Sequence, residues 1–274
     1  MFITYSVLMT VYYKENPHHF RVAIDSIINQ TLPTNDFVIV ADGPLGEDLD
    51  AVLQEYQAKH DFIHVYRLDT NRGSGPASKE GFKHIKNEVL AKMDSDDIAV
   101  ANRMERELEK INEGYDVVGG AIAEFVDNPE DIIAVRMPPQ NHEEIVKFSR
   151  RRNPISNVTV MYKKSQIEAV GGYPELVLLE DYTLAIKLIQ NGSKTFNLQE
   201  VMVKVRSNQR QMKRRGDKYL KVHLKRLRKY MLETKYITKC QYHRYNFEAF
   251  FFLATPYWLK RVLYKLFLRK KNVI

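Results

Sequence analysis

The 274-residue sequence predicts an α/β fold: a mostly parallel sheet flanked by helices, a smaller mixed-sheet region, and a basic helical C-terminal extension. Three observations lead there. Apolar runs of strand length alternate with helix-spaced segments over residues 1–115, the rhythm of βαβ units and a parallel sheet. Over residues 116–206 that rhythm loosens into the short strands of a mixed or edge sheet. From Arg206 onward the charge inverts: 20 Lys or Arg stand against three acids, whereas the first 205 residues hold 22 against 31. A basic tail on an acidic body should face something anionic.

The elements follow in order. "YSVLMTV" reads as a buried strand, and Phe20, Ile24, Ile27 and Ile28 recur at helical spacing after Pro17. "FVIVA" is a second strand, stopped by the turn signature Asp42-Gly43-Pro44. Leu49, Val52, Leu53 and Tyr56 mark the next helix. "FIHVYR" is a third strand, leading through the glycine-rich loop "NRGSGPAS" into a helix from about Lys79. "EVLAKM" is a fourth strand, ending at "DSDD", after which "NRMERELEKINEG" reads as a charged helix. Further strands are expected in "DVVGGAIAEFVD", in "IIAVRMP", at the end of "RRNPISNVTVMY" and in "VMVKVR". "GGYPELVLLEDYTLAIKLIQNG" is a loop running into a helix, and the chain turns helical from Gly216. This divides it into a body, 1–206, with halves 1–115 and 116–206, and an extension, 207–274.

Composition removes several classes. Cys240 is the single cysteine, so no disulfide framework exists within one chain, which suits a reducing compartment. The N-terminus lacks the basic region and cleavage site of a signal peptide. "FEAFFFLATPYWL" is too short and too interrupted to span a bilayer. A cytoplasmic protein is expected. The eight histidines are scattered without zinc-ligand spacing. The glycine loop lacks both the dinucleotide fingerprint and the P-loop lysine, and no nucleophile elbow is present. No nucleic-acid-binding pattern occurs, so nucleic acid is not an expected partner.

Ligand sites of parallel sheets lie beyond the carboxyl ends of the strands. Thr10, Asp42, Arg72 and Asp94 all fall at or just past such ends. Asp94, Asp96 and Asp97 crowd three carboxylates into four residues. One aspartate suffices to cap the following helix. Three at a strand end suit a hard cation such as Mg²⁺ or Mn²⁺, shared with substrate phosphates. Glu180 and Asp181 in "LLEDY" offer a helix start or a general base, one residue for each. Arg150, Arg151 and Arg152 before Asn153-Pro154 form a basic loop or a solvated turn. In the tail, "YWLKRVLYKLFLRKK" sets Leu259, Val262, Leu263, Leu266 and Phe267 on one stripe with bases beside it. That pattern fits a helix lying on an anionic membrane, or one docked on the body.

Taken in order, "YSVLMTVYYKENP", "SIINQTLP", "FVIVADGP", "NRGSGPASKEGF", "AKMDSDDIAVANR", "VVGG", "RRNPISNVTVMYKKS" and "GGYPELVLLEDYTLAIKLIQNG" resemble a family-2 glycosyltransferase of the GT-A fold. The likeness covers about residues 3–206 and is nearest to bacterial enzymes of capsular and exopolysaccharide synthesis, of the amylovoran type. It implies an inverting transfer of one sugar from a nucleotide-sugar, a UDP-sugar by expectation, to a hydroxyl of a polyprenyl-diphosphate-linked or oligosaccharide acceptor. Thr10, Val11, Tyr12 and Asp42 would hold the nucleoside. Arg72, Gly73 and Lys79 would flank it. Asp94, Ser95 and Asp96 would meet ribose and metal (Mn²⁺ or Mg²⁺), with Asp96 the principal ligand and Asp94 the second. Asp181 would be the catalytic base. Asn157 stands where relatives often carry histidine, and Lys79 where asparagine is common. The Q-x-x-R-W signature of processive synthases is absent, "QRQMKRRG" being only a basic echo. The expected location is the inner face of the cell membrane, held peripherally by the tail. A sugar-1-phosphate nucleotidyltransferase would need a glycine-rich basic loop where this chain reads "TVYYKENP". An inactive membrane-surface binding protein on the same fold is the other alternative.

Overall fold

A computed structural model describes residues 4–176, 178–207 and 218–254. The four strands of the N-terminal half lie where the apolar runs place them: β1 (Tyr5–Val11), β2 (Asp36–Ala41), β3 (Ile63–Arg67) and β4 (Val89–Asp94). Between them run α1 (Pro17–Ile28), α2 (Glu47–Lys59) and α3 (Ser74–Phe82). A two-residue strand β5 (Ile98–Ala99), α4 (Arg103–Asn112), β6 (Val117–Phe125) and β7 (Ala134–Arg136) follow. Then come α5 (His142–Ser149), a 3₁₀ turn (Asn157–Thr159), β8 (Met161–Lys163), α6 (Lys164–Ala169), α7 (Glu180–Gln190) and β9 (Thr195–Arg206). Two helices close the described chain, α8 (Lys218–Glu233) and α9 (Lys239–Ala254).

All nine strands form one sheet in the order β3-β2-β1-β4-β8-β6-β9-β5, with β7 on β6. Strands β3, β2, β1 and β4 are mutually parallel; β8 runs antiparallel to both β4 and β6, and β6 is parallel to β9. The chain leaves β1 toward β2 and β3, then returns to β4 on the other side. Such a reversal opens a crevice between the strand ends where ligands bind.

Period-two alternation sorts the side chains between two cores. Val7, Met9, Phe37, Ile39, Ala91 and Met93 face the layer of α1, α2 and α4. Leu8, Val38, Val40 and Leu90 face α3 and α7 through Ala77, Leu184 and Leu188. Both faces are covered, which is why β1, β2 and β4 read as unbroken apolar runs. Asn16 fixes the start of α1, its side chain accepting from the backbone of His18 and His19 with Pro17 next in line.

Some boundaries differ from the sequence reading. Helix α3 starts at Ser74, well before Lys79, because Gly73 turns the chain at φ +92°. Strand β9 begins at Thr195, ahead of "VMVKVR", and its register against β6 shifts around Gly120–Ile122, where Gly120 lies under Met202. Strand β5 and helices α5 and α6 had no clear signal. Helix α5 is nonetheless well capped, Asn141 and Glu144 forming a capping box.

Helices α8 and α9 rest on α7, where Tyr182 and Ile186 pack with Leu227, Met231 and Ile237. Among the described residues no helix is long and apolar enough to cross a membrane. The apolar stripe from Leu259 to Phe267 and all of "QRQMKRRG" lie outside the described residues.

Candidate active site

The ends of β1, β2 and β4 meet at one edge. Thr10 is paired with Asp94 across one side of β1, and Val11 with Ala41 across the other. Parallel pairing in register therefore brings Thr10, Asp42 and Asp94 together without any contribution from their side chains. Val11 offers no side chain to this edge: it is 1% exposed and belongs to the core, and its carbonyl accepts from Asp42 N at 2.8 Å. Thr10 and Tyr12 are the partly exposed side chains at this strand end, and Tyr12 meets Tyr13 edge to face.

Asp42 organises the glycine loop. Its two carboxylate oxygens accept from Arg72 N (2.7 Å) and Gly73 N (2.8 Å), and its carbonyl accepts from Asn71 Nδ2. Gly43 permits this approach, for a Cβ there would lie 2.6 Å from Asn71 N. The side chains of Arg72 and Lys79 both reach Glu175, at 3.0 and 2.8 Å, and so tie the loop and α3 to the segment before α7. Gly75 makes a second close approach: a Cβ would stand 1.8 Å from Leu176 O. The room that glycine leaves at position 75 is filled by the protein's own backbone.

The aspartates divide. Asp97 is buried and accepts from Arg206 N at 2.8 Å, fastening the loop to the end of β9. It caps no helix, since β5 intervenes and α4 has Asn102 at its N-cap without a side-chain bond. Ser95, also buried, donates to Glu15 at 3.0 Å, leaving its hydroxyl committed to the loop after β1. Asp94 and Asp96 stay partly exposed. Burial, then the neighbouring charges of Asp94 and Glu15, push Asp96 up to about 7. Burial likewise raises Asp94, against the opposing pull of Lys92 and Arg103. Hard oxygen donors that cannot all ionise on their own suit a divalent cation. Among the described residues no group of three or more His, Cys, Asp or Glu converges on one point. A cation on Asp94 and Asp96 would therefore complete its shell with water and donor phosphate oxygens, as Mg²⁺ and Mn²⁺ commonly do.

Across the crevice, Leu179 stands in the left-handed region at φ 62° and starts α7 with two carboxylates pointing different ways. Glu180 accepts from Ser74 Oγ at 2.6 Å and is raised to about 7, first by burial and then by Asp181. Asp181 accepts from Asn153 Nδ2 and from Tyr182 N, both at 2.7 Å. Burial raises its affinity for a proton, and Asp94 adds to the effect, which places the two aspartates within electrostatic reach of each other. The two adjacent acids thus make separate contacts: Glu180 braces the start of α3 through Ser74, and Asp181 is oriented by Asn153 and Tyr182 N.

Lys92 is the site residue that the sequence reading passed over. It sits on β4 on the face shared with Leu90, 1% exposed, with Nζ 3.1 Å from Ser78 Oγ. Burial depresses its pKa, while Asp94 and Glu180 act to hold its charge. One signal was available: a lysine inside "VLAKMD" contradicts an otherwise buried strand, and lysine is almost never buried unpaired.

The site can be compared with known proteins. Residues 6–165 match the model of the family described as "Glycosyl transferase family 2". An uncharacterised glycosyltransferase of Haemophilus influenzae is 38% identical over 77% of this chain and 79% of its own. The amylovoran biosynthesis glycosyltransferase AmsE of Erwinia amylovora is 32% identical over 85% of this chain and 88% of its own. An Escherichia coli protein named UDP-Gal:alpha-D-GlcNAc-diphosphoundecaprenol beta-1,3-galactosyltransferase is 33% identical over 77% of each chain. Among solved structures, S. aureus TarS 1-349 in complex with UDP-GlcNAc superposes with a TM-score of 0.67 at 16% identity, covering 90% of this chain and 72% of that one. The chain spans only 43% of a longer TarS chain. A Pyrobaculum calidifontis mannosyltransferase with GDP-Man and Mn²⁺ gives a TM-score of 0.65 at 16% identity, covering 94% of this chain and 72% of that one. The structural likenesses show the GT-A fold, and with the family match and the relatives in bacterial polysaccharide synthesis they establish that this chain belongs to glycosyl transferase family 2.

Proposed function

We propose that this glycosyltransferase moves one sugar, with inversion, from a UDP-sugar to a hydroxyl of a polyprenyl-diphosphate-linked saccharide. The observation that supports this best is the arrangement across the crevice. Asp94 and Asp96 lie at the end of β4, and Asp94 is near enough to act electrostatically on Asp181, whose own carboxylate is oriented by Asn153 and Tyr182 N. The donor and acceptor in this reading come from the printed names of a relative and a structural neighbour.

In this reading Thr10, Tyr12 and the loop organised by Asp42 cradle the nucleoside. The carboxylate of Asp181 takes the proton of the acceptor hydroxyl as that oxygen bonds to the anomeric carbon. The bond from that carbon to the diphosphate breaks on the opposite face, its electron pair leaving with the diphosphate. Mn²⁺ or Mg²⁺ held by Asp96 and Asp94 would supply positive charge to the departing group. Burial suits Asp181 to the task, because a base whose proton affinity lies above the ordinary aspartate range accepts a proton more readily near neutral pH. Residues 1–206 form the catalytic body in this reading, and 207–274 lie against the anionic inner face of the membrane.

A panel of UDP-sugars tested by thermal shift, with and without Mn²⁺, is the direct trial. One UDP-sugar should raise the melting temperature in a metal-dependent way, since a ligand that binds only the folded state stabilises it. That donor should then give a product of inverted anomeric configuration. A retained configuration, or no stabilisation by any nucleotide-sugar, would contradict the proposal.

A further inference from the structure

Next to the loop that steadies Asp181 lies a cluster of arginines that the transfer step above does not use. Arg150, Arg151 and Arg152 directly precede Asn153, the residue that donates to Asp181. Arg151 Nε lies 2.8 Å from Glu248 of α9, and Arg244 Nε reaches the same carboxylate at 3.0 Å. Arg228 of α8 is 8% exposed and donates to Asn246 at 3.3 Å. The Arg150 guanidinium sits 5.8 Å from the centre of the Tyr236 ring, with its Nε buried and without an acceptor. Arg151 and Arg244 share the carboxylate of Glu248, whereas Arg228 spends its bond on the neutral amide of Asn246 and Arg150 lies by the Tyr236 ring. Buried polar groups are normally satisfied, and arginine forks are well matched to phosphate oxygens.

An apolar strip runs beside this cluster. Phe247 (64% exposed) precedes Glu248, and Phe251 (58%) lies one turn further along α9, their ring centres 4.7 Å apart. Arg150 and Asn153 are three residues apart, a span of about 10 Å at most. A short saccharide could thus present its hydroxyl to Asp181 while its anionic carrier lies among the arginines.

We propose that the Arg150–Arg152 loop and α9 form a subsite for an isoprenoid diphosphate, the arginines holding the diphosphate and the Phe247–Phe251 strip receiving the first part of the isoprenoid chain. Charge complementarity favours this occupant over a phospholipid: four arginines less Glu248 leave an excess of three positive charges, more than a single headgroup phosphate offsets. The inference deepens the function proposed above and rests on Asp181 being the acceptor-side base.

The test is a binding titration of the full chain with farnesyl diphosphate and with inorganic diphosphate. EDTA is present so that the Asp94–Asp96 edge has no cation with which to hold a diphosphate. Wild type should bind farnesyl diphosphate at least tenfold more tightly than inorganic diphosphate. R151Q/R244Q, which alters only exposed side chains, should weaken farnesyl diphosphate binding at least tenfold, as should R150Q, with each variant's melting curve confirming that it folds. F247S/F251S should remove the advantage of farnesyl over inorganic diphosphate. D181N should bind as wild type does, so a failed base assignment and a failed subsite give different results. Equal affinity in folded arginine variants would overturn the proposal. So would competition by phosphatidylglycerol vesicles matching that of farnesyl diphosphate, which would make the surface a general anionic-lipid patch.

Discussion

The two sides of the crevice are held by different kinds of contact. On the side proposed for the donor, backbone does most of the holding: in-register strands align Thr10 with Asp94, and two loop amides grip Asp42. On the side proposed for the acceptor, distant side chains hold Asp181: Asn153 donates to Asp181, Tyr182 donates to Ser149 O at 2.6 Å, and Ser149 meets Tyr236 at 2.5 Å. A nucleotide is a constant ligand and suits a frame built from strand ends. An acceptor differs from one enzyme to the next, and side-chain contacts on loops are easier to vary without disturbing a sheet.

Perturbing either side should separate the two designs. The largest effect on stability is expected at Arg103, which is fully buried, pairs with buried Glu107 at 3.0 Å and donates to Lys92 O at 2.9 Å. R103M leaves Glu107 without its partner and should cost about 3–5 kcal/mol in urea unfolding, whereas R103M/E107L should recover much of that loss. If the double variant is no better than the single one, the cost lies in the bond to β4 and not in the stranded charge.

Asn153 comes next. N153A removes a hydrogen bond to a charged group, worth roughly 1.5–3 kcal/mol. Because that bond favours ionised Asp181, its loss should push the base's pKa further up. The acidic limb of the pH–rate profile should then move to higher pH and kcat should drop, while UDP binding stays near wild type. An unmoved acidic limb would remove Asn153 from the account of the base.

Gly75 probes the seam between the sides. The added methyl of G75A would press on Leu176 O and Glu180, so overpacking of about 1–3 kcal/mol is expected, together with weaker donor binding.

The smallest effect concerns pH. Burial raises Glu107 and Glu180 to about 7 from an ordinary 4.5. Between those values the folded state holds protons that the unfolded chain has released, so stability falls as pH rises through this window. Ligand-free protein should therefore melt at a higher temperature at pH 5.5 than at pH 7.5, and E107Q should flatten the difference.

How much of this was legible in the sequence follows the same divide. Strands β1, β2 and β4 were readable because burial on both faces makes their sequences uniformly apolar, and the carboxyl-end rule then pointed to Thr10, Asp42 and Asp94. The division between Glu180 and Asp181 was readable as a necessity of adjacent helical positions, with the resemblance naming Asp181 as the expected base, but their partners Ser74 and Asn153 were not readable. The contacts of the acceptor side were not readable: Arg151 meets Glu248, and Ser149 meets Tyr236, across long stretches of chain with no periodic signal to connect them. That the Val11 side chain fills the core and that Gly75 admits a carbonyl are likewise visible only in the packing.

The central claim is that the Asp94–Asp96 edge serves the donor and Asp181 the acceptor. The most direct measurement sets turnover beside calorimetric binding of UDP with Mn²⁺ for wild type, D96N and D181A. D181A should lose roughly 10²–10⁴-fold in kcat, the usual worth of a placed general base, while binding UDP as wild type does. D96N should lose metal-dependent UDP binding itself. A D181A enzyme that turns over at the wild-type rate, or a D96N enzyme that binds UDP and Mn²⁺ undiminished, would contradict that division.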